Sequence, residues 1–137
     1  MRYLVLTAFV TTVLLSSGHA QQPLPYELTQ AGMNEAAYKS CQAAEAEMNR
    51  VYTQLLARAK DKPEAIATLK KAQQAWLAYR EAQLAAEWSF PSGNNYGSVL
   101  RMCQAKEQER LTRLRTRELR SMLHPIKGDC CGSSWPE

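Results

Sequence analysis

The chain has 137 residues, with 17 Lys and Arg against 13 Asp and Glu, for a formal charge of +4. Length leaves room for one small domain and excludes two, and the modest charge excludes a strongly electrostatic scaffold. Gly and Pro are sparse up to residue 90 while Ala, Glu, Gln, Lys, Arg and Leu dominate, which is the composition of helices rather than strands.

The first 20 residues read as a secretory signal peptide: Arg2, an apolar run from Tyr3 to Leu15, then small residues at Gly18 and Ala20 where a signal peptidase cuts. The run is too short to span a bilayer. No Cys follows the expected cut before Gln21, so no lipid anchor is indicated and the product is expected to be periplasmic or secreted, in an oxidising compartment. Removing these 20 residues takes away only Arg2 among the charges and leaves about +3 on 117 residues.

Residues 21–28 hold two prolines and no periodicity, which predicts an extended leader. The domain proper is expected over 29–123. Thr29 or Asn34 can cap a first helix running to about Lys60, with Cys41, Ala44, Met48, Val51 and Leu55 as its apolar stripe. Asp61-Lys62-Pro63-Glu64 ends that helix and opens a second, since Pro is tolerated in a first turn and an acid there suits the helix dipole. Ile66, Leu69, Ala72 and Trp76 continue its inner face, and the short connection predicts an antiparallel helical hairpin.

Phe90 to Gly97 is a dense cluster of turn residues. Ser98 then caps a predicted third helix through Leu123, with Leu100, Cys103, Leu111, Leu114 and Met122 as its expected inner side and only one edge buried on the hairpin. Pro, Gly and Ser return in residues 124–137, expected to form a flexible, Cys-containing tail. The fold class is therefore all-α, a hairpin with a third packed helix.

Four cysteines allow three pairings in an oxidising compartment. Cys41 and Cys103 fall on the predicted inner faces of the first and third helices, so a bridge between them is favoured. It would close a loop of about 63 residues, worth roughly 4 kcal/mol by loop entropy. Cys130 and Cys131 could form a vicinal disulfide, bridge another molecule, or join His124 and Asp129 on a soft metal. They lack the paired spacing of zinc sites and read as redox-labile tail thiols, so neither metal nor cofactor is expected.

Catalytic chemistry finds little to work with, and no enzyme is expected. After the signal peptide there is one histidine, His124, and no strained nucleophile turn. Glu45 and Glu47 stand two apart on a helix and face different directions, unlike a glycosidase pair. Phosphate-binding glycine loops are missing.

Two stretches remain as candidate binding surfaces. In the second helix Trp76 and Tyr79 are one turn apart, and Arg80 can stack on the indole; an exposed edge here could contact a partner. In the third, seven basic residues between Arg101 and Arg120 face three acids, with Arg113, Arg115 and Arg117 at the centre. Such a stripe suits anionic wall polymers or lipopolysaccharide, or is a solvated, ion-paired helix face. Nucleic acid is not a fitting partner, because the chain is expected to be exported and its basic residues are not interleaved with aromatics.

Three tracts stand out together. The first is Thr29-Gln30, Met33-Asn34, Ala44-Glu45, Met48-Asn49 and Tyr52. The second is Leu69, Ala72-Gln73, Trp76 and Tyr79-Arg80, and the third is Cys103 with Leu111-Thr112-Arg113 through Leu119. In these tracts the chain resembles the family named for the N-terminal domain of the lysozyme inhibitor LprI, small exported bacterial helical proteins. Where family members often carry cysteines after the first and second tracts' motifs, this chain has Ala36 and Leu84, and Cys41 looks like a relocated partner. The resemblance implies a non-enzymatic binding protein, with a lysozyme as its protein partner. Common animal lysozymes are basic, so a +3 domain would not be steered to them at long range.

Overall fold

The computed structural model describes residues 24–89, 97–126 and 128–136. The expected signal peptide and most of the turn cluster at 90–97 lie outside them. Three helices make up the fold, α1 (Gln30–Arg58), α2 (Pro63–Trp88) and α3 (Val99–Leu123), preceded by a 3₁₀ turn at Tyr26–Leu28. Among the described residues there is no strand.

Thr29 starts α1 by accepting the Gly32 N–H on its Oγ1 at 3.1 Å, satisfying an amide that has no partner within the helix. Its hydroxyl donates to the Tyr26 carbonyl at 2.6 Å, so one side chain ties the 3₁₀ turn to the helix. Gly32 is required by that fold-back, because a Cβ there would collide with the Tyr26 carbonyl. At the other end Lys62 N–H reaches the Ala59 carbonyl at 2.8 Å, a tight turn that delivers Pro63 into the first turn of α2. Ser98 occupies the N-cap position of α3 without a side-chain cap bond.

Cross-helix bonds fix the directions. Asn34 meets Ser98 near the start of α1 and α3, and Arg58 meets Leu123 near their ends, so these two run parallel. Gln73 meets Met48, and Arg80 meets Glu45, so α2 runs antiparallel to α1. The closest backbone approach is between α1 and α3, not within the hairpin. Small buried side chains permit it: Ala37 and Ala44 on α1, Thr112 and Thr116 on α3. Longer side chains of α2 then lean on that pair. The apolar core sits toward one end of the bundle and comprises Met48, Val51, Leu55, Leu69, Leu119 and Leu123.

The face of α3 matches the expected one at Leu111 and departs from it at Leu114. Leu111, Thr112, Thr116, Leu119 and Leu123 are buried, whereas Leu114 is 37% exposed. Cys103 precedes Thr112 by about two and a half helical turns, which puts it on the side away from Thr112. The expected Cys41–Cys103 staple is accordingly absent, and all four cysteines are free thiols. Two inward threonines, polar in the sequence, displaced the predicted stripe.

After α3 the chain turns at His124 and Pro125 and returns without regular structure. Trp135 packs against the apolar core, and its indole N–H donates to the Leu55 carbonyl at 3.2 Å.

Candidate functional site

Arg80 sits at the centre of the bundle, only 8% exposed. Its Nη1 donates to Glu45 Oε1 at 2.9 Å and to Thr112 Oγ1 at 3.3 Å, linking α2 to both other helices. Its Nε and Nη2 donate to Glu81, and its guanidinium carbon stands 5.3 Å from the Trp76 ring centroid. Gln108 adds a second donor to Glu45 Oε1 at 2.8 Å. A buried guanidinium held this fully is a positioning element, since charged groups stay inside only when paired.

Arg115 reinforces the same ring from α3. Its Nε donates to Gln73 Oε1 at 3.1 Å, its Nη1 pairs with Glu118 at 3.0 Å, and its guanidinium lies 6.0 Å from the Trp76 centroid. Trp76 is thus clasped by two cations while packing on the apolar core. Tyr79, by contrast, is 53% exposed and stands apart from this cluster.

Cys41 is buried beside this network. Burial pushes its thiol above the ordinary value of 9.0; Glu45 and Glu109 add to the rise and Arg80 opposes it. An unreactive thiol results.

An arginine-lined groove of about 450 Å³ lies between α1 and α3. Buried Ala44 and Thr116 line it, with Glu47, Arg113, Arg117 and Arg120 contributing charge. Glu47 bridges Arg50 and Arg120, and Arg113 pairs with Glu109 at 2.7 Å. Arg117 is exposed and, among the described residues, has no ion-pair partner. The structure therefore divides the predicted basic triplet: Arg113 and Arg117 border the groove, and Arg115 turns inward. Glu45 and Glu47 do diverge, one to Arg80 and one to Arg120.

Glu47, Arg120, Gln73 and Thr112 are not among the candidate site residues that the sequence singles out. For Thr112 and Thr116 the signal was available in the three- and four-residue steps they share with Leu119 and Leu123, but a hydroxyl masks it in any hydropathy pattern.

Among the described residues no helix is long and apolar enough to cross a membrane. A family model described as lysozyme inhibitor LprI matches residues 23–119. An uncharacterized protein of Rhizobium meliloti (strain 1021) is 33% identical over 120 residues, covering 77% of this chain and 84% of that protein. No solved structure matches.

Proposed function

The chain belongs to the LprI lysozyme-inhibitor family, and from that premise we propose that it is an exported, non-enzymatic protein that binds a lysozyme through the groove between α1 and α3. Glycosidases of this kind carry a pair of carboxylates flanking the scissile bond. Guanidinium groups presented to such a cleft form charge-assisted, bidentate hydrogen bonds, whatever the long-range repulsion between two basic proteins. The observation that carries the reading is Arg117, exposed in the groove with no carboxylate of its own among the described residues.

Purified protein lacking residues 1–20 should inhibit a lysozyme in a wall-lysis assay, and Arg117→Glu should weaken inhibition at least about tenfold, the cost of about 1.4 kcal/mol at a lost charged contact. Circular dichroism should be unchanged by that exposed substitution. Absence of inhibition against every lysozyme class at micromolar excess removes the inhibitory reading. Anionic wall polymers draw on the same arginines; polymer binding that is lost in Arg117→Glu, with no lysozyme inhibited, would favour them instead.

A further inference from the structure

The tail carries an arrangement that partner binding does not use. Cys130 and Cys131 are both exposed, with their sulfurs 4.0 Å apart. One carboxylate oxygen of Asp129 completes a set of three ligand atoms that lie within 4.8 Å of one another. The geometry points to a binding site for a soft monovalent cation, Cu(I), at Asp129, Cys130 and Cys131.

The loop holding these groups is tied at both ends. On one side the Arg58 guanidinium donates to the Leu123 carbonyl, and on the other the Trp135 indole donates to the Leu55 carbonyl. Between them Asp129 Oδ1 accepts the Cys131 N–H at 2.9 Å, and Gly132 N–H donates to the Asp129 carbonyl at 3.2 Å. Gly128 supplies the left-handed backbone the turn needs, at φ 85°. These bonds fold the backbone around the two adjacent cysteines, whose sulfurs lie 4.0 Å apart.

Donor type selects the ion. Thiolates are soft ligands that favour Cu(I), whereas Zn(II) in a closed site wants four donors and here meets two sulfurs and one oxygen. At metal–sulfur distances of about 2.3 Å, a 4.0 Å sulfur separation corresponds to an angle near 120°, that of a trigonal site with three ligands. On binding, each thiol releases its proton to solvent as its sulfur takes up the cation. One Cu(I) therefore replaces two protons, the dithiol passes from neutral to a single negative charge, and no electron is transferred.

The test is titration of the full chain without its first 20 residues with Cu(I), under reductant and against a chromogenic Cu(I) chelator. One equivalent should be withdrawn from the chelator, with a thiolate-to-copper absorption in the near ultraviolet. Cys130→Ser and Cys131→Ser should each weaken binding at least about 100-fold and Asp129→Asn about tenfold, while Cys41→Ser and Cys103→Ser leave it unchanged. Undiminished binding in the Cys130→Ser, Cys131→Ser double variant overturns the site, as does failure to compete with the chelator. Equal affinity for Zn(II) overturns the choice of ion. Recovery of the chain from cells with Cys130 joined to Cys131 overturns the site as a metal centre.

Discussion

At the scale of the residue, Arg80 does the work that an apolar side chain does in most small bundles. It reaches Glu45 on α1 and Thr112 on α3 from α2, and covers one side of Trp76. Removing it leaves a half-buried Glu45 carboxylate with Gln108 as its remaining donor. Arg80→Ala should therefore lower unfolding stability by about 2 kcal/mol in urea titrations, less than a fully buried pair because Glu45 retains access to water. Arg80→Lys should recover only part of this, since an ammonium cannot span Glu45, Thr112 and Glu81 at once. Thiol chemistry separates the cysteines at the same scale. Cys130 and Cys131 should react quickly with a thiol reagent in the native state, Cys41 only after denaturation, and all four should be counted once the chain is unfolded.

Among the elements, the two ends of the helical domain are held by short flanking segments. The 3₁₀ turn docks on α1 through Thr29, through the Tyr26 hydroxyl donating to Glu35 at 3.0 Å, and through the gap left at Gly32. Gly32→Ala should push this turn away while leaving the three helices intact, so amide exchange should quicken over residues 26–29 and helicity should persist. The tail acts in the same manner at the opposite end. Trp135→Ala strips a cover from the core, and should cost about 2 kcal/mol by lost apolar burial, with the Leu55 carbonyl still served by the Ala59 N–H. Tail amides should then lose their protection before those of α3.

Taken as a whole molecule, the protein carries ion pairs along its surface that make its stability respond to pH. Glu107 is held below its ordinary value of 4.5 by the hydrogen bond from Arg110, and Glu109 by that from Arg113. Depressed carboxyls contribute stability that is complete above about pH 4.5 and disappears as pH falls through their folded values. Cys41 acts at the other limit: its raised thiol stays protonated after the unfolded chain has ionised, so stability declines as pH rises above about 9. Thermal unfolding between pH 2 and 11 should show a plateau bounded by these two limits. Cys41→Ala should shrink the alkaline decline to the part that the raised Tyr26 and Lys39 contribute, and leave the acid one, and a profile without an acid decline would rule out the ion-pair account.

The sequence by itself determined the three helices, their approximate ends and the family. These depend on local chemistry that a linear chain displays: Thr29 as a cap, Pro63 as a helix start, an apolar residue every three or four positions along α1. Tertiary structure alone decided which helices lie closest, which side of α3 faces inward, that Cys41 and Cys103 stay apart, and that Trp135 returns to the core. A helix can present a threonine inward when the facing alanine lets the backbones approach and the hydroxyl finds a partner, as Thr112 does with Arg80 and Thr116 with the Thr112 carbonyl. That partner lies in another helix or an earlier turn, and no hydropathy pattern records it, because satisfaction of a buried polar group is a property of the packed pair rather than of the residue.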